Sequence, residues 1–359
     1  MAEAFSFYNK RVLSAKIENS NCALVNQVLM FNMLSSPINT VKSVLKKVPF
    51  IVQIKRQLTD FSYVTVKLIF NLLRVCVWEP LFRTELVKKL VFDTTQTQST
   101  LAANTGQEVF VVSSHDSTIG RMVYAQGLKD AENVEQVIKL LGPNHTKSLL
   151  IDVGANIGTV CIPAVKRRMF KAAIAIEPEP FNYSILKANI HLNGLDRQIS
   201  TFNIALGAKA NEQLVFELSG SNYGDHRVRL STKPGLHGET DRSTIVVPSE
   251  PFDKICGKLD KNDAVAWMDT QGYEGFILAG AKNALSAGIP LIVEFWPYGM
   301  DRLGSFQLFK DAVLAGQYTQ FIDLSNIGLP KPLTSGNLDE LYMKIGLNGG
   351  FTDLLITSS

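Results

Sequence analysis

The stretch of sequence that decides the fold runs from Lys147 to Glu177 and reads KSLLIDVGANIGTVCIPAVKRRMFKAAIAIE. It contains an apolar run, a glycine-rich turn, a segment with helical spacing and a second apolar run. Continuous apolar strands on either side of a helix are typical of a βαβ unit in a buried parallel sheet. The turn is therefore predicted to lie at the carboxyl edge of that sheet, where ligands bind in such folds.

The turn has the pattern D-x-G-x-x-x-G, with Asp152, Gly154 and Gly158 at its fixed positions. We expect Gly154 to let the backbone turn tightly and approach a ligand, and Gly158 to let the helix pack closely. Asn156 lies inside the turn, where it either contributes to the pocket or caps the following helix. The dinucleotide fingerprint G-x-G-x-x-G is absent, and the Asp152 carboxylate suits a cationic amine better than a phosphate.

The second apolar run ends in Glu177, which is followed by Pro178. An acidic residue at this place can accept both hydrogen bonds from a ribose diol. An amine site at Asp152 and a ribose site at Glu177 together describe S-adenosyl-L-methionine, so the pair indicates a methyltransferase. Each carboxylate alone is also consistent with a strand-end cap of another doubly wound protein.

Four stretches carry a closer resemblance: IDVGANIGTV at 151–160, AIEPEPFNYSILKANIHLNGL at 175–195, NIALG at 203–207 and MDTQGYEGFILAGA at 268–281. With them, the chain resembles the FkbM family of S-adenosylmethionine-dependent methyltransferases over about residues 105–359. The resemblance implies an α/β, Rossmann-like class I methyltransferase fold. Its seven-stranded, mostly parallel sheet has an antiparallel last strand and helices on both faces.

The resemblance also implies a β-hairpin insertion after the third strand, and residues 214–218 and 226–230 alternate like strands around the turn-rich segment 219–224. The implied cofactor is S-adenosyl-L-methionine. The cofactor-binding residues implied by the match are Asp152, Gly154, Asn156, Gly158, Glu177, Pro178, Ala205 and Leu206, of which the last two would line the adenine.

The fourth-strand motif departs from the family pattern Lys-x-Asp-x-Glu-Gly-x-Glu. Asp269, Gly272 and Glu274 match it, whereas Trp267 stands in place of the Lys and Gln271 in place of the Glu. If either family residue handles substrate or a proton, these replacements change substrate choice or activity. The retained residues still favour the same fold.

Methyl transfer from a sulfonium requires alignment of the acceptor and exclusion of water. A hydroxyl acceptor also benefits from a general base, for which Asp269 at the end of the fourth strand is the first candidate. His226 in the insertion and Glu294 at the end of the fifth strand are weaker candidates. No metal ion is expected, although Asp269 and Glu294 could together bind Mg²⁺ as a minor alternative.

We therefore expect a cytoplasmic S-adenosylmethionine-dependent O-methyltransferase that acts on a hydroxyl of a sugar, glycolipid or polyketide-like natural product. A catalytically weak methyltransferase-fold protein that works as a binding module is the second hypothesis, and transfer of another group, as by aminopropyltransferases, is the third. The acceptor is expected to be a small molecule or glycan. Nucleic acid is not expected, because the body of the protein is net acidic.

The 359 residues are 46% hydrophobic and 19% charged, a globular composition that argues against wholesale disorder. Residues 1–92 hold 13 Lys and Arg against 5 Asp and Glu, although the whole chain carries only 36 against 33. This asymmetry predicts a basic, mainly helical N-terminal region at 1–92. The run rich in Thr, Gln, Ser and Asn at 93–106 indicates a polar linker, and the resemblance implies a methyltransferase domain at 107–359.

Residues 41–58 combine apolar residues near helical spacing with Lys and Arg at other positions, as in an amphipathic basic helix. Such a helix either packs on its own domain or makes peripheral contact with an anionic membrane. No transmembrane span is expected, because Lys67 and Arg74 interrupt the apolar stretch 61–78.

If residues 41–58 contact membranes, the full chain will co-sediment with anionic liposomes more strongly than a shortened chain that begins near residue 100. Added salt will reduce the difference, because screening weakens attraction to the lipid surface. Equal co-sedimentation of the two chains would contradict this expectation.

Overall fold

The computed structural model describes residues 70–95, 100–128 and 130–358. The chain divides into two compact units, Met1–Pro80 and Leu81–Ser359. The described part of the first unit includes a π-helical turn at Arg74–Trp78. The segment 41–58 lies outside the described residues, so the expected amphipathic helix stays a prediction. No helix in the described ranges is both long and apolar enough to cross a membrane.

Helices and strands alternate along most of the second unit. The described helices are α1 (Glu79–Arg83), α2 (Glu85–Thr94), α3 (Ile119–Gln126), α4 (Asp130–Leu141), α5 (Cys161–Lys166), α6 (Pro180–Leu192), α7 (Phe252–Cys256), α8 (Glu274–Ala279), α9 (Lys282–Ala287), α10 (Pro297–Leu303), α11 (Phe306–Ala315) and α12 (Ser335–Ile345). The described strands are β1 (Thr100–Asn104), β2 (Val109–Ser113), β3 (Leu149–Val153), β4 (Ala172–Ile176), β5 (Ile199–Phe202), β6 (Ala205–Gly207), β7 (Glu212–Leu218), β8 (Arg227–Val228), β9 (Ser243–Pro251), β10 (Ala264–Met268), β11 (Leu291–Phe295), β12 (Gln320–Asp323), β13 (Lys331–Pro332) and β14 (Thr352–Thr357).

The main sheet has the strand order β13-β12-β14-β11-β10-β3-β4-β5. Neighbours from β5 to β11 pair in parallel, whereas β14 is antiparallel to both β11 and β12. This is the class I methyltransferase topology with its antiparallel last strand, so the predicted fold is confirmed. The two-residue strand β13 adds an eighth strand at one edge.

The central strands read as continuous apolar runs because both faces of the sheet are buried. All five residues of β10 and of β11 are buried. Successive residues of a strand point to opposite faces, and Leu150 and Ile151 of β3 accordingly belong to two different apolar cores. Helices cover the two cores, which fixes the carboxyl ends of β3, β4 and β10 along one edge.

The insertion after the third strand is a second, four-stranded sheet with the order β6-β9-β7-β8. Phe216 on β7 pairs with Val228 on β8, which confirms the predicted hairpin. The resemblance places Ala205 and Leu206 at the end of the third strand, and the structure corrects this: β5 ends at Phe202, and the two residues belong to β6, which pairs in parallel with β9 of the insertion sheet. These two residues therefore connect the insertion to the main sheet.

Part of the segment interpreted as a linker is a strand. Thr100–Asn104 pairs antiparallel with Val109–Ser113, and Ala103 is buried in the apolar core. The alternation of apolar Leu101 and Ala103 is short and stands among polar residues, which obscured it. Phe92, the last residue of the predicted N-terminal region, belongs to the second compact unit, where it is 1% exposed and packs into the same core.

Substitution of Gly158 by Ala tests how closely the glycine turn packs on α6. A Cβ at Gly158 would lie 2.5 Å from Ile162 Cδ1 and 2.9 Å from Leu186 Cδ1, whereas Gly194 has a similar positive φ and open space around it. Gly194→Ala is therefore expected to destabilise the protein by about 1 to 2 kcal/mol through backbone strain alone. Gly158→Ala should cost about 1 to 3 kcal/mol more through overpacking. Urea denaturation of both variants measures the difference, and equal losses would contradict the packing argument.

Candidate active site

Two adjoining clefts lie at the carboxyl edge formed by β3, β4 and β10. The narrow cleft has an empty volume of about 520 Å³ and the wide cleft one of about 1660 Å³, both including space open to solvent. Both are lined by Gly154, Asn156, Gly224 and Asp269, so the two clefts meet at these residues.

The glycine turn lies against the end of β10. Gly154 has a φ of +87°, and a Cβ there would lie 2.0 Å from the backbone oxygen of Asp269. The missing Cβ thus makes room for the neighbouring strand end, and the expected close approach of Gly154 to a ligand stays a prediction at a residue that lines both clefts. Gly158 lines neither cleft, although the resemblance implied that it binds the cofactor; its close contacts are with the side chains of Ile162 and Leu186, in line with its expected packing role.

Asp152 is 2% exposed and lines the wide cleft. Its Oδ2 accepts a hydrogen bond of 3.1 Å from the backbone N–H of Cys161, the first residue of α5. Burial raises the pKa of Asp152 to about 7. The helix-capping role considered for Asn156 thus falls to Asp152, which also presents its carboxyl group to the cleft.

Glu177 connects the glycine turn to the end of β4. Its Oε2 accepts a hydrogen bond of 2.8 Å from the Asn156 N–H, and its Oε1 accepts one of 2.8 Å from the Glu179 N–H. Burial raises the pKa of Glu177 to about 8. Each carboxylate oxygen can accept more than one hydrogen bond, so Glu177 keeps acceptor capacity toward the narrow cleft that it lines with Pro178.

Two asparagines hold the insertion over the narrow cleft. The side-chain NH₂ groups of Asn156 and Asn182 donate hydrogen bonds of 3.1 and 3.0 Å to the backbone oxygen of Tyr223. Their Oδ1 atoms are buried without a hydrogen-bond partner in the described part of the chain. A buried unsatisfied polar atom costs about 1 to 3 kcal/mol, so a ligand that donates hydrogen bonds here would be favoured.

Apolar side chains form another wall of the narrow cleft. Ala205, Leu206, Phe216 and Val228 are buried and line it. The structure thus brings together in one cleft the predicted residues Gly154, Asn156, Glu177, Pro178, Ala205 and Leu206. Sequence reasoning missed Asn182 and Tyr223, because neither residue stands out from its neighbours by spacing or composition.

Asp269 and Glu294 form an acidic pair at the junction. Gln271 Nε2 donates hydrogen bonds to Asp269 Oδ1 at 2.8 Å and to Glu294 Oε2 at 3.1 Å. Desolvation in the cleft raises the pKa of Asp269, and burial together with the neighbouring Asp269 charge raises that of Glu294 well above its ordinary value. The two carboxyl groups therefore do not ionise independently, and a proton on either one stabilises the charge of the other.

The two departures from the family motif both line the wide cleft. Gln271 bridges two carboxyl groups through its amide, which a Glu at this position could not do because an ionised carboxylate does not donate. Trp267 is 6% exposed and presents an indole where the family pattern has a cation. The changes thus remove one positive and one negative charge from the pattern.

His226 lines the narrow cleft as a neutral imidazole. Its Nδ1 accepts a hydrogen bond of 3.0 Å from the Ser219 N–H, so its proton lies on Nε2. Burial, with the nearby Arg242 charge, lowers the pKa of His226 to about 4. This arrangement makes His226 a hydrogen-bond donor, and Asp269 is the better placed base. No group of three or more His, Cys, Asp or Glu side chains in the described ranges could hold a metal ion.

Glu274 stabilises the loop that carries Asp269. Its Oε1 accepts hydrogen bonds from the Thr270 N–H at 2.9 Å, the Thr270 Oγ1 at 2.8 Å and the Gly272 N–H at 3.3 Å. Its Oε2 is buried and has no partner among the described residues. The retained Glu of the family motif is thus a loop-ordering residue here.

Residues 152–316 match the family model described as the methyltransferase FkbM domain. These residues of the chain carry a methyltransferase FkbM domain, which confirms the resemblance drawn from the motifs. No curated protein matches the chain.

Several solved structures are similar to this chain, but with low sequence identities and low TM-scores. A putative transferase of Pyrococcus horikoshii is 11% identical, with 73% of each chain covered and a TM-score of 0.38. Methyltransferase FkbM of Methylobacillus flagellatus KT is 14% identical, with 76% of this chain and 60% of that chain covered and a TM-score of 0.36. Geranyl diphosphate C-methyltransferase of Streptomyces coelicolor A3(2) is 10% identical, with 66% and 78% covered and a TM-score of 0.35. Scores this low transfer nothing about substrate or mechanism to this chain.

Glu274→Gln should change how stability depends on pH. Burial raises the pKa of Glu274 from 4.5 to about 7, so the folded protein holds a proton that the unfolded chain loses above about pH 4.5. The contribution of this group to the free energy of unfolding therefore falls as pH rises from about 4.5 to 7, by about 3 kcal/mol at 1.36 kcal/mol per pKa unit. Gln mimics the protonated form and lacks this loss.

Urea denaturation at pH 5 and pH 8 measures the effect. The variant should gain about 2 to 3 kcal/mol on the wild type between the two pH values. Glu340→Gln, at an exposed position of α12, is the control and should gain nothing. A difference between Glu274→Gln and the wild type that is the same at both pH values would contradict the assigned role.

Proposed function

We propose that this protein is an O-methyltransferase that binds S-adenosyl-L-methionine in the narrow cleft and a hydroxyl-bearing small molecule or glycan in the wide cleft. The observation that carries the proposal is the position of Asp269, which lines both clefts where they meet. A carboxylate at that junction can contact both the methyl donor in the narrow cleft and the acceptor in the wide cleft.

The residues of the narrow cleft suit the chemistry of the donor. Glu177 and the unpartnered Oδ1 atoms of Asn156 and Asn182 are acceptors for ribose hydroxyls and an adenine amine. Ala205 and Leu206 offer apolar surface to the base, and Asp152, which lines the adjoining wide cleft, offers a carboxyl group to the amine where the donor reaches past the junction. When bound, the donor supplies a methyl group on a sulfonium, which is a good leaving group.

The protein's own contribution is alignment, exclusion of water and proton transfer. In its charged form, Asp269 accepts the proton of the acceptor hydroxyl. Gln271 fixes the orientation of Asp269, and Glu294 supplies a second hydrogen bond to it. Because burial and the Asp269 charge hold the pKa of Glu294 well above its ordinary value, we assign Asp269 as the base of the pair.

Asp269→Asn should lower kcat by about 10² to 10⁴-fold, since general-base catalysis contributes in this range. The variant keeps the shape of the side chain, so affinity for S-adenosylhomocysteine should change by less than about threefold, well under the 1.4 kcal/mol of a tenfold change. Release of S-adenosylhomocysteine with a panel of sugar and natural-product acceptors measures kcat, and titration calorimetry measures the affinity.

Asp311→Asn, at an exposed position on α11, is the matched control and should behave as wild type. Turnover by Asp269→Asn at the wild-type rate would contradict the assignment of Asp269 as the base.

A binding module is the second candidate, favoured by the replacement of the family's Lys and Glu by Trp267 and Gln271. The same assay separates the two functions. Methyl transfer to any acceptor with release of S-adenosylhomocysteine excludes the binding module, whereas cofactor binding without turnover over the whole panel supports it.

A further inference from the structure

The wide cleft has an unusual charge for a site that takes an uncharged sugar. Six carboxyl side chains line it, and none of its described lining residues is Lys or Arg. Aromatic side chains complete its walls. The residues that matter here are the carboxyl groups of Asp130, Asp152, Asp225, Asp269, Glu294 and Asp353 and the rings of Trp267, Trp296, His237 and Phe351.

Most of these carboxyl groups already have partners. Asp225 forms ion pairs with Arg227, at 2.8 Å, and with Arg242. Asp152 accepts the Cys161 N–H, and the Asp269 pair is bridged by Gln271. Because these carboxyl groups already accept hydrogen bonds or form ion pairs, they do not require a further cation, apart from the amine that the donor would bring to Asp152.

Asp353 is different. It lies on β14 directly opposite Glu294 of β11, and its carboxyl group has no hydrogen-bond or ion-pair partner among the described residues. Burial raises its pKa to about 7, and the nearby charges of Asp269, Asp130 and Asp323 act in the same direction. A partly buried carboxylate without a partner is costly, and a cation bound beside it would remove that cost.

Asp130 is a second carboxyl group of the cleft that forms no ion pair with the described residues. Among the described residues its side chain is hydrogen-bonded to Thr159 alone, and burial raises its pKa. Its charge acts on Asp152, Asp269 and Asp353 alike, so these carboxyl groups share one region of the cleft. A metal ion is a poor candidate for this region, because the described side chains provide no three-ligand group for one.

We propose that the methyl acceptor is a cation: it carries a protonated amine that Asp353 and Asp130 hold in the wide cleft, while its hydroxyl group meets Asp269. This inference rests on the proposed function, because it names the class of acceptor for the same site. The neighbouring indole and phenyl rings favour an organic cation, since ring faces attract ammonium groups. An anionic acceptor such as a sugar phosphate is excluded by the same carboxyl groups.

Three indole compounds of similar size test the charge preference: tryptamine is a cation, tryptophol is neutral and indole-3-acetate is an anion. Each is titrated at pH 8 into the full chain saturated with S-adenosylhomocysteine. Tryptamine is expected to bind at least tenfold more tightly than tryptophol, and indole-3-acetate more weakly than both.

Asp353→Asn is expected to weaken tryptamine about tenfold and to leave tryptophol unchanged, whereas the exposed control Asp311→Asn changes neither. Equal affinity for the three compounds, no binding of any of them, or an Asp353→Asn variant that keeps the preference would overturn the inference. In each of those cases S-adenosylhomocysteine still binds, so the proposed function stands. A wild-type chain that does not bind S-adenosylhomocysteine would remove both.

Discussion

The contact between the glycine turn and the end of β10 is the constraint on which the site depends. The Gly154 backbone lies so close to the Asp269 carbonyl oxygen that a Cβ would be 2.0 Å away from it. Any side chain at Gly154 would move the turn, the strand end or both. Asp269 takes part in this contact and Asn156 lies two residues after Gly154. Because both residues line both clefts, the contact fixes the place where the two clefts meet. Glu177 holds the other side of the turn through the Asn156 N–H.

The site keeps carboxyl groups where burial disfavours their charge. Burial raises the pKa of Asp152 and Glu274 to about 7 and that of Glu177 to about 8. Each of these carboxyl groups accepts hydrogen bonds from backbone N–H groups of a turn or helix start. Protonation of a carboxyl group therefore acts on these backbone hydrogen bonds as well as on the charge of the site. Such an arrangement lowers stability near neutral pH and provides a site that favours positively charged ligands, consistent with a sulfonium donor.

The sequence allowed much of the fold and part of the site to be predicted. Apolar runs with a glycine turn identify β3 and β4, and the acidic residues that follow strand ends lie at the clefts because parallel strands share one carboxyl edge. Contacts that depend on tertiary packing could not be predicted. Asn182 and Tyr223 meet across more than forty residues, and the strand Thr100–Asn104 gains its place from pairing with β2. In the sequence, Gln271 is seen only as the loss of the negative charge of the family's Glu. In the structure, its side-chain amide donates hydrogen bonds to both Asp269 and Glu294.

Calorimetric titration of the full chain with S-adenosylhomocysteine tests the central claim, that the narrow cleft holds the methyl donor. The account predicts saturable binding by the wild type that Glu177→Gln and Asn182→Ala each weaken by about tenfold or more, or 1.4 kcal/mol, while Glu340→Gln leaves it unchanged. Absence of binding by the wild type, or equal affinity in all four proteins, would contradict it.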